Sequence, residues 1–327
     1  MRSINKYLLF LAVLSALLLC SSCGGRKMLS FDHPYDDYYE KNHRNETEQT
    51  GMAEDLAVIS KEDQTDPDYQ SEDYADLLIN DDKKEVITSY HCFDKLYPAS
   101  ITKVMTALLT MEYIESGKGS WDDEITLDHN VILNDAQAVA STLSSGDTVK
   151  VSEVFHTLLI KSANDCAVIL AEYVSGSEEK FVQKMNRKAK KLGATHTHFM
   201  NTNGLHDDDH YTTAYDLYLI FREAAKRSVF VDTVSMQDYT MVYTNSRGTN
   251  VSEYMESTNH YLLNEYPVPE GVTMFGGKTG TTSLAKSCLI LMTENKAGNR
   301  FFSIVLGAPN KEELYQSMTA LLEKIPN

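Results

Sequence analysis

The β-like and helix-like runs of this chain are segregated along its length, and that order restricts the fold more than any other feature. Ala75–Asn80 and Glu85–Tyr90 read as two strands around the polar turn 81–84. A helical middle follows. Val104–Ile114 is strongly apolar without Gly or Pro, and 151–173 carries two apolar stripes interrupted at Lys161–Asp165. Next come a basic amphipathic helix over 178–192, closed by Gly193, and a helix capped by Thr213 with Asp216. Tyr239–Tyr243 alternates, the Gly-rich stretch Met274–Thr281 follows a Pro-rich loop, and 287–293 and 301–306 are β-like runs. A last helical stripe, Leu314, Met318, Leu321, Leu322 and Ile325, ends the chain. Strands that open and close a domain around helices predict an α+β fold. Its mostly antiparallel sheet should be flanked by helices, with a helical subdomain inserted.

Chemistry concentrates first at Tyr97–Thr106. If the helix begins near Ser100, Ser100 and Lys103 share one face, at the positive end of the helix dipole. A nucleophile, an amine able to act as its base and free backbone N–H groups for an oxyanion then fall within one turn. By itself Ser-x-x-Lys is weak evidence, and an N-capping Ser beside a solvated Lys is the better reading of it.

Two further motifs lift it above that reading. Ser162-Ala163-Asn164 sits at the break between two helical stripes, and Lys278-Thr279-Gly280 lies in a Gly-rich strand. The ordered trio resembles that of penicillin-binding proteins and class A β-lactamases, whose middle motif has Asp where this chain has Ala163. From Tyr74 to Asn327 the chain resembles the serine-type D-alanyl-D-alanine carboxypeptidases, the low-molecular-weight penicillin-binding proteins of peptidase family S11. Lys95–Ser100, Asn203–Asp207 and His210–Asp216 extend that resemblance. It implies a β-lactamase/transpeptidase-like fold and an acyl-enzyme on Ser100 that penicillins would trap. It also implies Lys103 as base, Ser162 as proton relay and Asn164 as the group that positions Lys103. Lys278 with the hydroxyls of Thr279 and Thr281 would hold the substrate carboxylate, and Gly280 would let the peptide lie close. The N–H groups of Ser100 and Thr281 would form the oxyanion hole. The implied partners are a peptidoglycan stem peptide ending in D-Ala-D-Ala and β-lactam antibiotics, with no cofactor.

Three rivals share part of this pattern. A class A β-lactamase needs a deacylating carboxylate in a Glu-x-x-Leu-Asn segment, and none occurs between Asn164 and Lys278. A transpeptidase differs only in its acceptor. An idle peptidoglycan-binding sensor lipoprotein has no need of the intact Ser100, Lys103 and Lys278. The run His206–His210 offers two His and three Asp, but in no compact zinc spacing. It falls where the family has a structural loop, and no metal is expected.

The N-terminus sets the compartment. Arg2 and Lys6 precede an apolar run from Tyr7 to Leu19, too short to span a bilayer but suited to a secretory signal. Ser21-Ser22-Cys23 resembles a lipoprotein cleavage site, so residues 1–22 are expected to be a signal peptide and Cys23 the lipidated residue. Residues 23–73 are polar and acidic and are expected to be a flexible tether, with 74–327 the catalytic domain. Many relatives append a β-rich domain and a membrane helix at the C-terminus. The end at Asn327 therefore shifts the expected anchor to Cys23, at the outer face of the cytoplasmic membrane. Acidic residues number 47 against 30 basic ones, which argues against nucleic acid as a partner. Cys92, Cys166 and Cys288 allow at most one internal disulfide and read as buried thiols.

Overall fold

The computed structural model describes residues 56, 57, 59, 74–133, 135 and 138–326. All of them belong to the unit Thr47–Asn327. The expected signal peptide, Cys23 and most of the expected tether lie outside the described residues. Within the tether span, Ala57 and Ile59 are buried, and the Ala57 carbonyl accepts a 2.9 Å bond from Tyr215 Oη.

The expected strand pair is present as β1 (Ala75–Asn80) and β2 (Glu85–Tyr90). The late strands are β7 (Val272–Thr282), β8 (Lys286–Asn295) and β9 (Arg300–Ala308). They join in one antiparallel sheet of order β2-β1-β9-β8-β7, so both ends of the domain meet where β1 pairs with β9. That sheet is covered on both faces. Successive strand residues point to opposite sides, and Phe301 packs against the closing helix Lys311–Glu323 while Phe302 stacks edge-on against Tyr218 and Phe221. Burial on both faces explains why 287–293 and 301–306 are nearly continuous apolar runs instead of alternating ones.

The helical middle holds α1 (Lys103–Glu115), α2 (Val151–Ile160), α3 (Asn164–Ser175), α4 (Glu178–Lys191) and α5 (Ala214–Ala224). Every residue of α1 from Lys103 to Met111 is buried, so this helix is the axis around which the others pack. The cap on α5 is as read, with Thr213 Oγ1 accepting from Asp216 N at 3.0 Å.

Three features differ from the sequence reading. Ser100 does not start the α-helix; it lies in a 3-10 turn, Ala99–Thr102, and α1 begins at Lys103. Ala99 at φ 46 supplies the kink that sets the turn apart. A second antiparallel sheet also exists, of order β3-β4-β5-β6, from Glu124–Thr126, Thr148–Lys150, Asp238–Thr244 and Asn250–Glu256. Its first two strands have three residues each, and its last is mostly polar, so no periodic signal marks them. The helix α6 (Ser228–Val234) spans under two turns and is rich in β-branched residues, so its sequence carries no helical period. The three cysteines are free and buried, as read.

Candidate active site

Ser100 is placed by close backbone packing. Gly204, at φ +86, abuts the Ala99 carbonyl: a Cβ there would stand 1.8 Å from that oxygen. On the other side Gly280 of β7 meets the same turn, and a Cβ on it would lie 2.7 Å from Pro98 O and 3.1 Å from Ser100 N. Only residues without a side chain let the nucleophile's turn sit so near both the edge strand and the 201–205 loop.

Lys103 is fully buried, and its Nζ has three partners. It bonds Ser100 Oγ at 2.8 Å, Asn164 Oδ1 at 2.8 Å and the Asn203 carbonyl at 2.7 Å. Burial pushes its pKa well below the ordinary lysine value, and the charge of Lys278 lowers it further. A neutral amine has two N–H bonds and one lone pair. With Asn164 and Asn203 taking the N–H groups, the lone pair faces the Ser100 hydroxyl. This is the arrangement a general base needs.

Ser162 sits between α2 and α3 at φ 65, an uncommon conformation for a non-glycine residue. The Lys278 amine donates to Ser162 Oγ at 2.9 Å and to Thr279 O at 3.1 Å. Lys278 is buried, and desolvation brings its pKa down to about 7, so neutral and charged forms coexist near neutrality. Asn164 is held at both ends, since its Nδ2 donates to Val139 O at 2.9 Å while its Oδ1 faces Lys103.

Ser100, Ser162, Thr279, Gly280 and Thr281 line one cavity of about 580 Å³. The structure thus brings together the sequence-derived residues Ser100, Lys103, Ser162, Asn164, Lys278, Thr279, Gly280 and Thr281. Lys103, Asn164 and Lys278 form its buried underside. Cys23 lies outside the described residues. The Thr279 hydroxyl is engaged with Thr258 Oγ1 at 2.6 Å, and the Thr281 side chain is exposed. Gly276 serves the fold instead of the cavity: it sits at the bulge in β7, packed on the Val234 carbonyl.

Sequence reasoning missed several groups. The Asn203 carbonyl on Lys103 is a backbone atom with no side-chain signature, although Asn203-Gly204 is a turn signal. Val139, Thr258 and His260 also border the cavity from segments without motifs. The histidines of 206–210 have separate partners. His210 Nδ1 accepts from Met200 N–H at 3.2 Å, so its Nε2–H donates to Thr102 Oγ1 at 2.9 Å. Burial lowers its pKa to about 3 and keeps the ring neutral. His206 meets the Tyr97 ring edge-on.

A family model described as D-alanyl-D-alanine carboxypeptidase matches residues 53–310. The chain is 35% identical over 249 residues to D-alanyl-D-alanine carboxypeptidase DacF of Bacillus subtilis, covering 76% of this chain and 60% of that protein. It is 28% identical over 250 residues to DacC of Escherichia coli, covering 75% and 59%. The chain therefore spans about three fifths of the length of these curated relatives. Among solved structures, a penicillin-binding protein of Listeria monocytogenes in its cefotaxime-bound form superposes with a TM-score of 0.65 at 28% identity, covering 79% of this chain and 99% of that one. The Streptomyces DD-transpeptidase superposes with a TM-score of 0.68 at 24% identity, covering 76% and 95%, which shows a shared fold.

Proposed function

The chain belongs to the D-alanyl-D-alanine carboxypeptidase family, peptidase family S11, and on that premise we propose that it removes the terminal D-Ala from peptidoglycan stem pentapeptides through an acyl-enzyme on Ser100. The observation that carries this reading is the 2.8 Å contact between Ser100 Oγ and the buried, readily deprotonated amine of Lys103.

Ser100 Oγ attacks the carbonyl of the penultimate D-Ala as its proton passes to Lys103 Nζ. The backbone N–H groups of Ser100 and Thr281 hold the oxyanion, a role supported by the close seat of Gly280 beside Ser100 N. Collapse breaks the amide C–N bond as the proton taken up by Lys103 passes through Ser162 to the departing D-Ala amine, leaving Lys103 neutral again; the Ser162 oxygen is bonded to the Lys278 amine. Water then attacks the ester carbonyl and gives a proton to the neutral Lys103, which returns it to Ser100 Oγ as the C–Oγ bond breaks and the shortened peptide leaves.

The substrate carboxylate binds at Lys278, Thr279 and Thr281. Reversing the bond between Thr279 and Thr258, so that Thr258 donates, frees the Thr279 proton for that carboxylate. Penicillins acylate the same serine, a reading supported by the Listeria relative solved with cefotaxime and with ampicillin.

Export completes the proposal, with a lipid on Cys23 holding the protein at the outer face of the cytoplasmic membrane. It rests on Arg2, Lys6, the apolar run 7–19 and Cys23. No helix among the described residues is long and apolar enough to cross a membrane. A Cys23→Ala protein that stayed in the membrane fraction as firmly as wild type would contradict the lipid anchor.

The activity is tested by incubating the protein with a pentapeptide stem, with and without an amine acceptor. Free D-Ala and a tetrapeptide are expected in both. Cross-linked peptide in place of tetrapeptide would make the protein a transpeptidase, and no product would make it an idle binder.

A further inference from the structure

Val139 borders the cavity at the head of a segment without regular secondary structure, Val139–Leu143, whose polar groups are tied down by three side chains. The Val139 carbonyl accepts from Asn164 N at 2.8 Å and from Asn164 Nδ2 at 2.9 Å. Ser141 N donates to both Asp165 carboxylate oxygens, at 3.0 and 3.1 Å, and Ser141 Oγ donates to Asp165 Oδ2 at 2.5 Å. Thr142 N and Oγ1 donate to Glu253 Oε2 at 2.9 and 2.7 Å. Asn164 and Asp165 open α3 and are neighbours of the site in sequence. Glu253 is not. It comes from β6 in the second sheet, and its other oxygen, Oε1, accepts from Lys161, the residue before Ser162.

We propose that Glu253 is a positioning residue of the substrate site, fastening the Val139–Leu143 wall through its bonds to Thr142. The inference rests on the functional reading above. Irregular backbone makes a firm wall only when its N–H groups have acceptors, and a carboxylate gives stronger bonds than a neutral group. The Glu253 side chain is 10% exposed, so water replaces it poorly. The terminal D-Ala carboxylate is read at Lys278, Thr279 and Thr281. The residues preceding the scissile amide then run past the half-exposed Val139 side chain, along this wall. The second sheet thereby shapes the cleft for the stem peptide without touching the reacting atoms. The Ser100–Lys103 pair is held chiefly by the Asn203 carbonyl and the packing of Gly204 and Gly280, and Asn164, which also bonds Val139 O, is fixed at the start of α3.

The test compares wild type, Glu253→Ala and Glu253→Gln on a full pentapeptide stem, on acetyl-D-Ala-D-Ala, and on penicillin. Glu253→Ala is expected to raise KM for the stem roughly tenfold with kcat held within about twofold. KM for the short peptide and the rate of penicillin acylation should be unchanged. Glu253→Gln keeps an acceptor for Thr142 and should give an intermediate KM, which decides the matter if the Ala variant fails to fold. An unchanged KM for the stem in both variants overturns the proposal. So does a fall in kcat on the long and short peptides alike, which marks general damage. A wild-type protein that releases D-Ala from neither peptide instead overturns the functional reading, a result distinct from either.

Discussion

Lys278 and Lys103 are both buried beneath the same cavity, and the charge of Lys278 is the second cause, after burial, of the low proton affinity of Lys103. Each amine faces a different serine, Lys103 toward Ser100 and Lys278 toward Ser162. Removing the Lys278 charge takes away one reason for Lys103 to be neutral. In Lys278→Met the acid limb of the pH profile for penicillin acylation should therefore move to higher pH. The rate on the plateau should fall about 10²-fold to 10³-fold, the usual cost of losing a charge-stabilising donor. Acylation kinetics across pH 5 to 10 measure both, and a limb that stays in place removes the coupling between the two lysines.

The same burial has a stability consequence. Lys278 has a folded pKa near 7 against an ordinary value of 10.5. Between those values the unfolded chain binds more protons than the folded one, so this residue's contribution to stability rises with pH. Relative to Lys278→Met, the wild-type melting temperature should gain as pH rises from about 7 to about 10. Paired thermal melts read the difference, and a gain that runs toward low pH contradicts the assignment.

Gly204 tolerates no side chain. Gly204→Ala adds a Cβ at 1.8 Å from the Ala99 carbonyl and requires an alanine at φ +86. Both effects push the Ser100 turn away from the Asn203 carbonyl that partners Lys103. A loss of about 2 kcal/mol or more in stability, with acylation slowed well beyond that of a distant surface variant, is the expected result from urea unfolding and penicillin labelling.

His210 titrates against folding. Its pKa is about 3 in the folded chain and 6.5 ordinarily, so the unfolded state gains a proton as pH drops below about 6.5 and stability falls. His210→Asn gives up the bond to Thr102 and should cost about 1–3 kcal/mol at pH 7. The gap to wild type should then narrow by pH 5, because the variant lacks the titration. Urea unfolding at the two pH values tests it, and a gap that widens rules it out.

The long apolar runs and the three motifs were legible because each is encoded locally. Val104–Ile114, 287–293 and 301–306 announce buried elements by their own composition. Ser100, Lys103, Ser162 and Lys278 stand in short patterns that the fold only has to bring together. What stayed hidden depends on partners far along the chain. The β3 and β4 strands of three residues each are stabilised by pairing with one another and, through β4, with β5, and Glu253 acquires meaning only from Thr142, 111 residues away in sequence. The α-helix starts at Lys103, a turn later than the sequence pattern suggests, because Ala99 adopts a left-handed conformation that nothing in its side chain encourages.

The central claim is that Ser100, activated by Lys103, forms the covalent intermediate. Intact-mass spectrometry of the protein after exposure to penicillin, followed by peptide mapping, addresses it directly. A single adduct on the peptide containing Ser100, absent from Ser100→Ala and strongly slowed in Lys103→Met, is the predicted result. An adduct on another residue, or one that forms equally fast without the Lys103 amine, would contradict it.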